Sequence, residues 1–210
     1  NAGREIAEYL EFRNQKDIDY LLLTHPDKDH TGGSNYLLRN FPVDTVITGP
    51  NGPFFGGRIP CRTCRAGMWL KTGRGLVLFL HPEQPCPDDN RASLVTALIF
   101  QGQTALFPGD IPAAIERRLL RYEKLVDCDL LLASHHGSRY SSCEKFLEGT
   151  SPEWVVVSCG RDNFYGHPHP DMLVRAQESG AEIHRTDMNG AACYEISREG
   201  IDCIGWRGLE

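Results

Sequence analysis

Metal-ligating side chains are concentrated between residues 25 and 30, where the chain reads His-Pro-Asp-Lys-Asp-His. This segment follows an apolar run at 19–24 that predicts a buried strand. Because a loop at a strand end lets adjacent side chains diverge, His25 and Asp27 could hold one cation while Asp29 and His30 hold a second. The alternative is a solvated turn in which the two aspartates act only as turn formers.

Two later apolar runs also end in candidate ligands. Asp110 closes the sequence Ala-Leu-Phe-Pro-Gly-Asp, and His135 and His136 follow Leu-Leu-Ala-Ser. A carboxylate between two cations can bridge them, and this is the role that we predict for Asp110. The predicted metal ligands are therefore His25, Asp27, Asp29, His30, Asp110 and His135.

Two adjacent divalent cations make water a nucleophile near neutral pH and polarise the attacked oxygen. We predict that Asp29 orients this water, and that His136 or His167 protonates the leaving group, so these three are the candidate catalytic residues. His167 stands in Tyr-Gly-His-Pro, where a turn residue before the next helix is the alternative.

The segment after the histidine pair could bind substrate. Ser138 and Arg139 precede a predicted helix, and backbone amides with serine hydroxyls at such a place can hold a phosphate. A serine N-cap with a solvated arginine is the alternative. We also place Asn90 among the substrate-binding residues. Its amide oxygen can bind a cation, but it is a weaker ligand than an imidazole.

The composition excludes several classes of protein. The chain has 210 residues with 40% hydrophobic and 24% charged side chains, which is typical of a soluble globular protein and predicts a single domain over 1–210. No apolar run approaches the length of a membrane-spanning helix. With 22 Lys and Arg against 28 Asp and Glu, the net charge is −6, so a broad basic surface for DNA is not expected and any phosphate must be held locally.

The hydrophobic pattern changes along the chain from β-rich to alternating, which predicts an α/β sandwich. Residues 49–67 are dense in Gly and Pro and predict a loop. The predicted helices are 4–15, 34–40, 113–125, 142–148 and 170–179. The predicted strands are 19–24, 43–48, 68–71, 76–81, 93–101, 104–108, 130–134, 154–158, 182–185 and 191–197.

These motifs together resemble the metallo-β-lactamase superfamily. Within it, the segments at 25–30, 90–95, 107–110, 134–138 and 159–168 are similar to the soluble C-terminal domain of the ComEC DNA-uptake competence proteins and to its stand-alone relatives. The resemblance covers about residues 18–196 and implies an αββα four-layer sandwich. The first motif of the superfamily is usually HxHxDH, and here Asp27 stands at the second histidine. The superfamily's middle histidine ligand is also missing, and Asn90 occupies that neighbourhood. The usual opening β-hairpin is absent as well, so we expect the sandwich without its first strands.

The resemblance implies a metal-dependent hydrolase that binds two divalent cations, zinc or manganese. Oxygen ligands in place of imidazoles harden the site and favour manganese relative to an all-histidine pocket. The expected function is a two-metal phosphodiesterase or nuclease of competence-type DNA uptake, with single-stranded DNA or a small phosphodiester as substrate. The alternatives are a small-molecule hydrolase for lactones, thioesters or cyclic nucleotides, and a non-catalytic binding or assembly domain. Membership of a larger membrane protein or complex stays open.

Overall fold

The computed structural model describes residues 2–53, 59–122 and 127–204. The helices in these ranges are α1 Ala2–Phe12, α2 Lys28–Thr31, α3 Ser34–Asn40, α4 Ala113–Leu119, α5 Glu144–Thr150, α6 Pro170–Glu178 and α7 Thr186–Asn189. The strands are β1 Ile18–Leu23, β2 Val43–Thr48, β3 Cys61–Thr63, β4 Trp69–Thr72, β5 Gly75–His81, β6 Val95–Phe100, β7 Gln103–Phe107, β8 Leu130–Leu132, β9 Trp154–Val157, β10 Glu182–Arg185, β11 Tyr194–Ile196 and β12 Ile201–Cys203.

A seven-stranded mixed sheet forms the centre of the molecule, in the order β10-β9-β8-β7-β6-β5-β4. Strands β4 to β7 are joined as antiparallel neighbours, whereas β7 to β10 run parallel. The second sheet is parallel, in the order β1-β2-β3, and β11 pairs with β12 in a separate ribbon. Since parallel strands end at the same side of a sheet, the loops after β7, β8 and β9 lie along one edge.

Three apolar clusters explain the layers. Phe146 and Met172 pack from α5 and α6 onto one face of the large sheet, together with Ile115 of α4. On the opposite face, Phe79 of the large sheet packs against Ile47 of the three-stranded sheet. The other half of that face is covered by the β11–β12 ribbon. This arrangement follows from strands such as β9, which is apolar along its whole length and needs cover on both faces.

Helices α1 and α3 cover the outer face of the three-stranded sheet. Their residues Ala7 and Leu37 form a buried cluster with Phe41, against which Leu21 of β1 packs. Helix, sheet, sheet and helix therefore follow one another, and the predicted αββα sandwich is confirmed. No helix in the described ranges combines the length and the apolarity needed to cross a bilayer.

The structure departs from the predicted elements in several places. The Gly- and Pro-rich segment at 49–67 contains strand β3, because backbone pairing with β2 in parallel register holds Cys61 opposite Val46. Residues 54–58 of that segment lie outside the described residues. The helix predicted to run to residue 125 ends at Leu119 and continues as a 3-10 turn to Tyr122, with 123–126 again outside the described part. Strand β12 and the short helices α2 and α7 have no counterpart in the prediction.

Candidate metal centre

The first ligand loop begins where β1 ends. The Thr24 carbonyl accepts a hydrogen bond of 2.8 Å from the Leu94 amide, which ties the end of β1 to the start of β6. Next along the chain, His25 is buried, with 1% of its surface exposed. Helix α2 then starts after Asp27, and the His30 amide donates to the Asp27 carbonyl at 3.1 Å. This short turn brings residues 27 and 30 onto the same side of the loop.

Asp110 follows β7 and lies at the same edge. Its amide donates to the Ser93 hydroxyl at 3.2 Å, and its side chain is 5% exposed. Gly109 has a φ of +62°, and a side chain there would press on Ser93. The Gly109 carbonyl also accepts from the His135 amide at 3.0 Å, so the Pro-Gly-Asp turn is bonded directly to the second histidine loop.

The histidine pair after β8 has a left-handed backbone. The φ angles are 51° at His135, 55° at His136 and 81° at Gly137. Left-handed non-glycine residues cost roughly 1–3 kcal/mol each and are concentrated at functional sites. The His136 Nδ1–H donates to the carbonyl of Ser158, after β9, at 2.8 Å, and the ring therefore directs its Nε2 lone pair toward the other ligands.

Four side chains converge so closely that their ligand atoms all lie within 4.8 Å of one another: Asp29, His30, Asp110 and His136. His30 Nε2 is 3.1 Å from Asp110 Oδ1, and His136 Nε2 is 3.2 Å from Asp29 Oδ2. The two Nε2 atoms are themselves 3.1 Å apart. Two carboxylates and two imidazoles at these separations are a donor set that a divalent cation accepts.

A second set surrounds the other oxygen of the same carboxylate. Asp110 Oδ2 lies 3.8 Å from His25 Nε2 and 3.7 Å from the Nε2 atoms of both His135 and His136, and Asp27 Oδ2 is 3.6 Å from His25 Nε2. His25 Nε2 is buried and has no hydrogen-bond partner among the described residues. Leaving such an atom unpaired costs about 1–3 kcal/mol. A cation bound to it would remove this penalty, so the residues fit a metal site.

The charges within the cluster shift several pKa values. Burial acts to raise the pKa of Asp110, but its hydrogen bond with His30 and the nearby imidazoles hold that pKa below its ordinary value. Conversely, burial acts to lower the pKa of His30. The hydrogen bond and the charge of Asp110 more than offset burial, so the pKa of His30 lies above its ordinary value. The pKa of His25 is lowered, first by burial and then by the charge of His30. The buried carboxylate is therefore the electrostatic centre of the site.

A cleft of about 270 Å³ opens beside the cluster. His167 lies in its wall, with its ring centroid 5.8 Å from that of His135 and 6.0 Å from the stacked ring of Tyr165. Burial, followed by the charge of His135, lowers the pKa of His167. The residues that line the cleft are Asp29, His136, Ser158, Cys159, Gly160, Asn163, Tyr165 and His167.

The three residues expected to bind substrate lie in different surroundings. Arg139 pairs with Asp171 of α6 at 2.9 Å rather than with the ligand cluster. Ser138 is buried, and its hydroxyl accepts from the Tyr140 amide at 3.3 Å. Asn90 is half-buried in a 3-10 turn before β6, and no described residue forms a hydrogen bond with its side chain.

Sequence reasoning missed two residues that orient the rings, Thr24 and Ser158. The Thr24 hydroxyl lies 3.1 Å from His25 Nδ1 and 3.0 Å from His30 Nδ1. Its position directly before His25 was the only signal in the sequence. Ser158 acts through its backbone carbonyl, which no side-chain pattern reveals.

Comparison with known proteins agrees with this fold. Residues 1–160 match the sequence model of the metallo-β-lactamase superfamily. The chain is 30% identical over 203 residues to ComE operon protein 3 of Bacillus subtilis (strain 168), covering 90% of this chain and 26% of that protein. It is 31% identical over 205 residues to the competence protein ComA of Neisseria gonorrhoeae, covering 95% of this chain and 28% of that protein. The chain thus spans about a quarter of the length of these relatives.

Two solved structures share the fold at low sequence identity. CmlA, a diiron β-hydroxylase from Streptomyces venezuelae, superposes with a TM-score of 0.57 at 16% identity over 81% of this chain and 44% of that chain. The metallo hydrolase Igni18 from Ignicoccus hospitalis KIN4/I gives a TM-score of 0.58 at 14% identity over 80% of this chain and 75% of that chain. With the family match over 1–160 and a sandwich whose strand ends carry the candidate ligands, the chain belongs to the metallo-β-lactamase superfamily.

Proposed function

We propose that this chain is a metal-dependent phosphodiesterase that cleaves DNA in the context of DNA uptake. The observation that carries the proposal is the placement of Asp110, whose Oδ1 lies 3.1 Å from His30 Nε2 and whose Oδ2 lies 3.7–3.8 Å from the Nε2 atoms of His25, His135 and His136. A carboxylate shared in this way would suit a pair of divalent cations, an arrangement that many enzymes of phosphoryl transfer use. The similarity to two competence proteins supports DNA as the substrate.

The ligand sets divide between two cations. Asp29, His30, Asp110 and His136 would hold one ion, and His25, Asp27 and His135 would hold the other together with Asp110. The geometry therefore favours His136 as a ligand of the first ion, whereas the sequence suggested His135 as the ligand and His136 as a proton donor. Divalent cations bound here supply Lewis-acid polarisation of a phosphoryl oxygen and lower the pKa of water.

The chain's own residues bind and orient the reactants. Asp29 is 57% exposed at its side chain and lines the cleft, so one of its oxygens can accept a hydrogen bond from the attacking water. His167 lies across the cleft and can hydrogen-bond the leaving oxygen. The buried face of the cluster, formed by His25 and Asp110, excludes bulk water from the opposite side.

Zinc and manganese are the cations that we expect, with manganese favoured. Asp27 and Asp29 bring carboxylate oxygens to the centre, and oxygen-rich sites suit harder ions. Hard ions in turn favour phosphoryl oxygens over the carbonyl of a lactone. The size of the cleft, about 270 Å³, also admits a small substrate, so a hydrolase for lactones, thioesters or cyclic nucleotides is the second candidate.

The test is hydrolysis of labelled single-stranded DNA and of a chromogenic phosphodiester, with and without manganese. We expect Asp29→Ala to lower both activities by more than roughly 100-fold, since even the loss of an outer-sphere partner of a metal ligand costs about 10- to 100-fold. Asp44→Ala is the matched control, because Asp44 is an exposed aspartate of β2. In metal-free buffer, both variants should unfold at the temperature of the wild type.

A different substrate profile would overturn the proposal. If neither phosphodiester is cleaved while a lactone or a thioester is, the small-molecule function replaces the nuclease. If Asp29→Ala retains wild-type rates, hydrolysis does not take place at this centre.

A further inference from the structure

Two aromatic side chains stand almost fully in solvent beside the candidate metal centre. Phe164 is 98% exposed and Tyr165 is 78% exposed, and their ring centroids are 6.0 Å apart in an edge-to-face arrangement. Both lie in the loop between β9 and α6. Neighbouring exposed rings contribute little to the core, and they are typical of binding surfaces.

The loop that presents these rings is held by its own hydrogen bonds. The Asn163 side chain donates to the Gly160 carbonyl at 2.9 Å and to the His167 carbonyl. Its oxygen accepts from the His167 amide at 2.9 Å, and the Gly166 amide donates to the Asn163 carbonyl at 3.1 Å. The backbone that carries the rings is thus held before any ligand arrives, which reduces the entropy lost on binding.

Tyr165 connects the exposed pair to the chemistry. Its ring is nearly parallel to that of His167, with an interplanar angle of 18°. It also lines the same cleft as Asp29 and His136. A flat group stacked on Tyr165 therefore lies next to the cluster that would hold the cations.

The charge of this region limits what the flat group can be. The chain has a net charge of −6, and the segment 159–168 carries one arginine and one aspartate. The Arg161 Nε already donates to the Asp187 carbonyl at 3.3 Å. A polyanion cannot be held here mainly by ion pairs, so its affinity must come from the cations and from contacts with its uncharged parts.

We propose that Phe164 and Tyr165 form a stacking platform for unpaired nucleobases, which makes single-stranded nucleic acid the substrate class of the site. This inference rests on the proposed function. Base–aromatic stacking contributes about 1–3 kcal/mol per base and tolerates any sequence. In a duplex, each base is stacked between adjacent bases and its faces are covered. The platform therefore selects single strands over duplex, and also over phosphodiesters that have no base.

Binding without cleavage tests the platform. The probes are a labelled single-stranded oligonucleotide, an abasic strand of the same length and charge, and the corresponding duplex, each measured by fluorescence anisotropy in EDTA. We expect the wild-type protein to bind the base-bearing strand at least about tenfold more tightly than the abasic strand. The double variant Phe164→Ala/Tyr165→Ala should lose this preference and bind the base-bearing strand no more tightly than the abasic strand.

Two control variants sharpen the result. Tyr165→Phe keeps the ring and should keep the preference. Trp69→Ala removes an aromatic side chain that is 60% exposed. Trp69 lies on β4, the edge strand at the opposite end of the large sheet from β10, and this variant should keep the wild-type base preference.

Equal affinity of the wild type for the base-bearing and abasic strands, including no measurable binding of either, would overturn the platform. A preference that survives in the double variant would also overturn it. Binding to phosphatidylglycerol vesicles that depends on the two rings, without any base preference, would replace it with a membrane contact. Base preference without hydrolysis by the manganese-loaded protein would refute the proposed function but support the stacking platform. Hydrolysis without base preference would support the proposed function but refute the platform.

Discussion

The Thr24 hydroxyl lies between two imidazole rings of the candidate centre. It is within hydrogen-bond distance of Nδ1 of both His25 and His30. A hydroxyl oxygen has two lone pairs and can accept from both rings. With a cation bound, each ring would carry its proton on Nδ1 and present its Nε2 lone pair to the ion, which is the arrangement that metal-ligating histidines need.

Replacing Thr24 by valine tests this role, because valine keeps the shape and removes the acceptor. We expect the affinity for manganese, measured by titration calorimetry, to fall roughly 10- to 100-fold, as is typical when an outer-sphere partner is lost. Thr24→Ser retains the hydroxyl and should bind like the wild type. Wild-type affinity in Thr24→Val would show that the backbone alone orients the rings.

Asp27 is the residue that distinguishes this centre from the HxHxDH pattern. Its Oδ2 lies 3.6 Å from His25 Nε2. We expect Asp27→His to shift the ratio of zinc to manganese affinity toward zinc, since an imidazole is a softer donor than a carboxylate. The measurement is a competition titration with both ions, and Asp19→His, at an exposed position of β1, is the control. An unchanged ratio would mean that Asp27 is not a ligand.

At the scale of elements, helix α4 supports the loop that carries the histidine pair. Glu116 is fully buried, and its carboxylate accepts hydrogen bonds from the amides of Ser142 at 2.5 Å and Cys143 at 2.9 Å. The Ser142 hydroxyl in turn accepts from the Ser134 amide at 3.1 Å. The two ends of the loop between β8 and α5 are thereby joined, which helps to maintain the left-handed backbone at His135 and His136.

Burial raises the pKa of Glu116, and this makes stability depend on pH. Because the folded state holds the proton more tightly than the unfolded state, the carboxyl destabilises the fold increasingly as pH rises from the unfolded value of about 4.3 to the raised folded value. Below that window both states are protonated and the effect is absent. Glutamine does not titrate.

We therefore expect the difference in melting temperature between Glu116→Gln and the wild type to move in favour of the variant as pH rises from about 4 to 7. Thermal unfolding in metal-free buffer at a series of pH values measures this difference. Glu148→Gln, at an exposed position of α5, should show no such trend. A constant difference for Glu116→Gln would contradict the coupling.

At the scale of the whole molecule, the centre joins parts of the chain that are distant in sequence. Asp110 lies close to imidazoles from the loops after β1 and β8, and these strands belong to different sheets. A cation bound among them would link the two sheets. Since the unfolded chain lacks this site, binding energy for the cation is also folding energy.

Manganese should therefore raise the melting temperature. At a free concentration about 100 times the dissociation constant, the stabilisation is about 2.7 kcal/mol, which corresponds to roughly 5–10 °C for a chain of this size. We expect Asp110→Asn to abolish most of the increase and Asp44→Asn to retain it, with both followed by calorimetry. The absence of any increase in the wild type would argue against a metal centre.

The sequence by itself determined the types of the candidate ligands, the strand ends that carry them and the layered α/β architecture. This was possible because the segments at 25–30, 107–110 and 134–138 are each contiguous, and apolar periodicity is a local property. Only the tertiary structure decided the rest: strand β3 exists through pairing with β2, and His136 joins the four-residue group through a bond to Ser158. His30 and His136 are separated by 106 positions in the sequence, and their Nε2 atoms lie 3.1 Å apart. Backbone pairing and ring orientation depend on such distant partners, which a local pattern does not specify.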